Sequence, residues 1–224
     1  FYARRIRRIF PALILVLIFC WIVGWRVLLL DGFASLGKHI AATAAFVPNL
    51  VFWQETGYFD TEAVYKPLLH LWSLGVEEQY YVIWPLIAYL IWRRTSFALL
   101  AIVILLVISF GLNVAATRAN PSDAFYLPFT RFWELMTGSL LAYIQVRHPQ
   151  RIESLASRKL FLGVGGRPFT AGDAAAIVGL ILIVYATFLI RGRAAFPGFW
   201  ALLPTAGAAL MVLSPLDGEW EVIK

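Results

Sequence analysis

The stretch Pro67–Pro85, PLLHLWSLGVEEQYYVIWP, sets a histidine and two adjacent carboxylates in a run otherwise apolar enough for a membrane helix. At about 100° per residue, His70, Ser73, Glu77, Tyr81 and Trp84 fall in one narrow sector, while Gln79 points the opposite way and Glu78 sits to one side. Such a stripe can move protons, with Glu77 acting as a base or as the group that orients a histidine. Charge in hydrocarbon is costly, so ionisable groups of this kind face a bundle interior or a water-filled cavity. His70 alone supports two readings, catalysis or a structural hydrogen bond at the membrane interface.

Two further constellations carry chemistry. Arg4, Arg5, Arg7 and Arg8 form overlapping R-x-x-R pairs. Residues three apart on a helix are neighbours on one face, so two guanidiniums can grip one polyphosphate with their planar donor forks. The same arginines also suit a plain topology anchor for the helix that follows. In FYLPFTRFWELMTGSLLA, Phe125–Ala142, Arg131 and Glu134 stand i,i+3 at the head of an apolar helix. They pair with each other or with His70 and Glu77 on a neighbouring span, and Gly138 and Ala142 offer a small-xxx-small face for close helix packing.

The elements that must position these residues are membrane helices. The chain is 61% hydrophobic and 14% charged, with a net charge of +6, against roughly 25% charged residues in soluble domains. A water-exposed globule is excluded. The arginines lie mostly at the ends of apolar segments, where they orient helices rather than meet nucleic acid. Runs long enough for about 30 Å of hydrocarbon, which takes ~20 residues, predict spans at Ile9–Leu30, Leu71–Trp92, Phe97–Ala116, Phe129–Val146, Ala174–Ile190 and Phe199–Leu213. Pro11 suits the first turn of its helix, and Pro85 predicts a kink. Ile40–Trp53, interrupted by Pro48 and Asn49, is short. The positive-inside rule favours a segment that does not cross, because Arg4–Arg8 and Arg147–Arg167 then share the cytoplasmic side.

The predicted fold is thus an all-α, polytopic transmembrane bundle of six spans plus one short re-entrant or broken segment. The connection from Asp31 to Leu69 is then extracytoplasmic. Its part Thr56–Lys66 is either a solvated loop or a sugar-facing lip. The connection Gln145–Asp173 is basic, with a flexible turn at Gly163–Gly166. Cys20 lies in an apolar run as a small buried hydrophobe. His39, His70 and His148 are scattered without a metal-binding spacing, so no metal is expected. Phe1 opens on a helix already in progress, which suggests a piece of a longer protein.

In order and spacing, FYARRIRRIFPAL, GYFD, PLLHLWSLGVEEQYYVIWPL and FYLPFTRFWELMTGSLLA resemble the acyltransferase-3 family of bacterial integral-membrane O-acyltransferases, most strongly over Phe1–Tyr143. The resemblance implies a partial membrane acyltransferase domain over residues 1–224, multi-pass in the bacterial cytoplasmic (inner) membrane. It implies transfer of an acyl group, usually acetyl, from acyl-CoA to a hydroxyl of a cell-envelope glycan such as lipopolysaccharide or peptidoglycan. Carried over residue by residue, it gives donor binding to Arg4, Arg5, Arg7 and Arg8, and site roles to His70, Glu77 and Glu78. Chemistry then requires a base for the hydroxyl proton and donors for the carbonyl oxygen. Arg131 suits the second task, or the stabilisation of Glu134. Family members carry two earlier helices, the first with an arginine and a histidine; without them this piece is expected to be inactive alone. The rival class is a proton-coupled transporter or flippase of a glycan or lipid-linked precursor, with His70, Glu77, Arg131 and Glu134 forming its path. Inverted repeats would favour it, and none is evident. A structural scaffold would leave the ionisable groups unexplained.

Overall fold

The computed structural model describes residues 1–56, 66–92, 97–162, 168–190 and 196–214. It falls into two compact units, Phe1–Ile83 and Trp84–Lys224.

In the first unit, α1 (Tyr2–Val27) begins upstream of the predicted span, so the arginines are helical and Pro11 lies inside the helix rather than in its first turn. Proline has no N–H, so the Arg7 carbonyl loses its helical partner. The predicted extracytoplasmic connection is instead largely helical. It holds α2 (Leu30–Ala44) and α3 (Pro48–Glu55), broken between them at Phe46, whose φ is +56°. Pro48 opens α3, where its missing N–H is harmless. Leu13, Leu17, Leu36 and Leu68 form the buried core, joined by Phe33, Phe46 and Leu74.

The start of α4 (Trp72–Trp92) closes on this break. A Cβ on Gly75 would stand 2.8 Å from Pro48 Cδ and 2.9 Å from Asn49 Oδ1, so glycine permits the approach. One turn on, the Gln79 amide donates to the Phe46 carbonyl at 2.8 Å and to Asn49 Oδ1 at 2.9 Å. The side of α4 opposite the predicted stripe is therefore a polar tie to the broken segment.

The second unit holds the rest of α4, α5 (Ala98–Ala119), α6 (Pro121–Tyr126), α7 (Pro128–Arg147), α8 (Pro149–Ala156), α9 (Ala171–Leu189) and α10 (Leu202–Leu213). The connection read as a basic loop is folded: it contains α8 and an antiparallel ribbon of β1 (Lys159–Leu162) and β2 (Pro168–Thr170). Gly163–Gly166 lies outside the described residues. Thr170 caps α9 through a reciprocal bond with Asp173.

Packing between α5 and α7 is fixed by polar groups. Ser109 Oγ donates to the Phe129 carbonyl at 2.6 Å and accepts from the Trp133 N–H at 2.9 Å, bracketing the first turns of α7. Trp133 is buried edge-on against Phe110, with centroids 4.9 Å apart. The expected small-residue contact at Gly138 and Ala142 is not made. A Cβ on Gly138 would meet nothing within 4 Å, and both residues border cavities. Close approach occurs instead between α9 and α10, where a Cβ on Gly179 would come within 2.6 Å of the Gly207 carbonyl oxygen.

Among the described residues, Tyr2–Val27, Ala98–Ala119 and Ala171–Phe188 are long and apolar enough to cross a membrane, and Gly198–Leu213 is apolar but shorter. The remaining predicted spans, α4 and α7, are helical. Glu77, Glu78 and Gln79 in one, and Arg131, Glu134 and Arg147 in the other, dilute their hydropathy.

Candidate active site

Arg4, Arg5 and Arg8 of α1 meet Leu74, Glu77 and Tyr81 of α4 around a cleft of about 430 Å³, with Phe1 and Ile9 completing its wall. Arg7 is exposed and does not line it. On a helix Arg4 and Arg8 lie about 40° apart, with Arg5 on the same side, whereas Arg7 turns about 60° the other way from Arg4. The grouping is therefore i, i+1, i+4, in place of two R-x-x-R pairs.

The three cleft arginines differ in what they touch. Arg5 Nη2 donates to Glu78 Oε1 at 2.6 Å, and its guanidinium carbon stands 3.4 Å from the centroid of the Tyr81 ring. Its Nε is buried with no hydrogen-bond partner among the described residues. Arg4 and Arg8 are exposed and form no ion pair among the described residues. Their charges remain available to an anion. Glu77 lines the same cleft and likewise has no hydrogen bond or ion pair among the described residues, while Glu78 is committed to Arg5.

His70 departs from the predicted stripe. It lies on a 3₁₀ turn, Leu69–Leu71, that precedes α4, and it is exposed; the Ser73 hydroxyl bonds only its backbone carbonyl, at 3.4 Å. Glu77 is also exposed. Glu77 faces the cleft that it lines, whereas His70 does not line it.

In the second unit, Arg131 Nη2 donates to Glu134 Oε2 at 2.9 Å, so of the two pairings open in the sequence the local one is formed. The pair lines a cavity of about 430 Å³ with Thr137, Phe196, Pro204 and Thr205. Glu134 Oε1 is buried without a hydrogen-bond partner among the described residues. The Arg131 guanidinium also stands 5.8 Å from the Phe125 ring centroid. A cation and an unmet carboxylate oxygen facing one cavity can bind a polar group from either side of the hydrogen-bond balance.

A charged cluster in the first unit was not anticipated. Glu55 at the end of α3 accepts from Lys38 at 2.8 Å and is bonded by His39 Nε2 at 2.9 and 3.1 Å, with Lys66 Nζ 3.5 Å away. His39 is only 2% exposed and packs on Phe52, 4.6 Å between centroids. Burial pushes the Glu55 carboxyl up, but the hydrogen bonds and charges of Lys38 and His39 outweigh it and hold it below its ordinary value. The only sequence signal was that Lys38, His39 and Glu55 flank the short apolar stretch Ile40–Trp53, and a polar group demands a partner once buried. The lip expected at Thr56–Lys66 lies, apart from its two ends, outside the described residues.

Comparison with known proteins sets these sites in a family. Residues 1–220 match the family described as an acyltransferase domain. An uncharacterized protein of Haemophilus influenzae is 32% identical over 222 residues, 95% of this chain and 84% of its own length. The peptidoglycan O-acetyltransferase OatA of Listeria monocytogenes is 33% identical over 64% of this chain, which covers 24% of that relative. The O-acetyltransferase OatA of Staphylococcus aureus is 27% identical over 88% of the chain, which covers 35% of it. The chain thus spans a quarter to a third of these two longer relatives. No solved structure matches it. With the match running through both units and all the site residues named above, the chain belongs to the acyltransferase-3 family.

Proposed function

We propose that the complete protein transfers an acyl group, acetyl by preference, from acyl-CoA to a hydroxyl of a cell-envelope glycan at the bacterial cytoplasmic membrane. The observation that carries this reading is the cleft in which two uncommitted arginines, Arg4 and Arg8, stand with an uncommitted carboxylate, Glu77, in a chain of an acyltransferase family. The residues present fit an anionic donor: Arg4 and Arg8 hold phosphate oxygens, and the rings of Phe1 and Tyr81 line the same cleft beside them. When bound, the donor supplies an activated thioester. Ester formation removes the proton of the attacking hydroxyl, and a proton returns to the sulfur as the C–S bond breaks. We assign that proton to Glu77, with His70 as the second candidate base. Arg5 and Glu78 are positioning residues that fix α1 against α4. In the second unit, Arg131 and Glu134 offer a donor and an acceptor to a polar group in the cavity that they line.

In the same reading α4, α7 and α10 cross the membrane with α1, α5 and α9, giving six spans, and the α2–α3 segment enters without crossing. The relatives named as peptidoglycan O-acetyltransferases favour a peptidoglycan acceptor over lipopolysaccharide.

The test is acyl content of envelope polysaccharide in cells carrying the complete protein at matched expression. Glu77→Gln removes basicity while keeping shape, and we expect at least a tenfold loss of acylation with membrane insertion unchanged. Arg4→Ala/Arg8→Ala should raise the donor KM more than it lowers kcat. Full acylation by Glu77→Gln would return that carboxylate to a packing role.

A further inference from the structure

The connection between α7 and α9 has a surface poorly suited to bulk water. A two-stranded ribbon is marginal by itself, and this one exposes apolar side chains. Leu160, the extra residue of a bulge in β1, is 51% exposed, and Phe161 is 61% exposed. Phe161 stacks on its cross-strand partner Phe169, with centroids 4.6 Å apart and planes inclined by 16°, which makes a flat aromatic plate. On α8, Leu155 is also exposed, one turn from Arg151 on the same flank of the helix, while Ala156 is buried. Around these side chains stand four exposed cations, Arg147, Arg151, Arg158 and Lys159, and between Arg147 and Phe161 a single carboxylate, Glu153.

The element is tethered at a defined depth. Thr170 is both the last residue of β2 and the cap of α9, a helix long and apolar enough to cross a membrane. The ribbon therefore has no linker by which to leave the membrane surface.

We propose that α8 and the β1–β2 ribbon form an interfacial foot whose partner is the anionic phospholipid surface. Arg147, Arg151, Arg158 and Lys159 pair with headgroup phosphates, and Leu155, Leu160 and Phe161 enter the boundary between headgroups and acyl chains. Cations beside exposed aromatic and aliphatic side chains are the composition that binds anionic membrane interfaces. This assignment stands apart from the acyl-transfer reading, since none of these residues lines either polar cleft.

The experiment uses the complete protein with Cys20→Ser, reconstituted in nanodiscs of phosphatidylcholine alone or of a phosphatidylglycerol-rich mixture. A nitroxide is attached through Phe161→Cys, Leu155→Cys or Ser154→Cys, the last on the solvent side of α8. Power-saturation spectroscopy then compares collisions with oxygen and with a water-soluble nickel chelate. We expect the oxygen-to-nickel ratio to be several-fold higher at 155 and 161 than at 154, and to rise further in phosphatidylglycerol. Arg151→Gln/Arg158→Gln/Lys159→Gln should abolish that rise. Because Leu155→Cys leaves the ribbon intact, a fault in ribbon folding at position 161 does not remove the test. Ratios at 155 equal to those at 154 in both lipids would overturn the interfacial foot. Equal ratios in the two lipids, unmoved by the triple substitution, would overturn its recognition of anionic headgroups.

Discussion

Truncating Arg5 and Glu78 singly and together tests whether the cleft is held by their pair. The side chains are 24% and 12% exposed and share one charge-assisted bond of 2.6 Å. Fully exposed pairs couple by about 0.2–1 kcal/mol, whereas removing one partner from a fully buried pair costs about 3–5 kcal/mol. A mostly buried pair falls between, so we expect Arg5→Met and Glu78→Leu each to cost about 2–3 kcal/mol. Arg5→Met also loses the stack on Tyr81 at 3.4 Å, worth about 0.5–2 kcal/mol, and should be the more damaging. In Arg5→Met/Glu78→Leu no charge is left stranded, and the new side chains can pack. The double variant should therefore be more stable than the Arg5→Met single, a coupling of at least about 2 kcal/mol. Thermal unfolding of detergent-purified protein reads this directly, since about 1 kcal/mol moves the Tm of a chain of this size by roughly 2–4 °C. A double variant whose loss equals the sum of the two singles would refute the pairing as a support of the cleft.

Other outcomes follow from single positions. Glu55 is held below its ordinary value in the folded protein, so its stabilising share is complete above the unfolded carboxyl pKa, about 4.3, and is lost as pH falls through the lower folded value. The Tm advantage of wild type over Glu55→Gln should be present above the unfolded carboxyl pKa and vanish as pH falls through the lower folded value; an advantage that persisted undiminished in strong acid would contradict the cluster geometry. Ser109→Ala removes two bonds to the backbone of α7 and should cost about 0.5–1.5 kcal/mol for each, with faster amide exchange at Trp133. Gly179→Ala forces α9 and α10 apart, because its Cβ would lie 2.6 Å from a backbone oxygen where ordinary contact begins at 3.4 Å. We expect about 1–3 kcal/mol of loss, exceeding the ~1 kcal/mol alanine returns as a helix former. Gly111→Ala, with nothing within 4 Å, should be neutral or stabilising under the same unfolding assay.

What could be read from the chain followed the range of each interaction. Arg131 and Glu134 were legible as a pair because i,i+3 spacing brings them together on any helix. Glu77 and Tyr81 were legible as neighbours on one face of α4 for the same reason, but His70 was not, because it lies on a 3₁₀ turn before the helix. The arginine cluster was visible as a set, yet its division into committed and free members depends on Glu78, far along the chain. Local periodicity carries no record of such a contact. Gly179 and Gly207 show the same limit: each is one glycine in an apolar helix, and only their mutual approach distinguishes them from Gly138. The α8–ribbon element was missed because its strands are short and its hydrophobic residues do not alternate through the bulge. Gln79 and Asn49 left a signal that could have been used, since two amides in apolar runs imply a partner for each when buried.

The tie between Gln79 and the broken segment has a consequence for how the chain is made. Synthesis runs from the N-terminus, so Phe46 and Asn49 are complete well before Gln79 exists. During that interval the Phe46 carbonyl and the Asn49 amide oxygen lack the donor they share in the finished protein. Asn49 ends fully buried against the Gln79 amide. The hydrogen bonds that close the break between α2 and α3 therefore form only after the first turns of α4 have been translated.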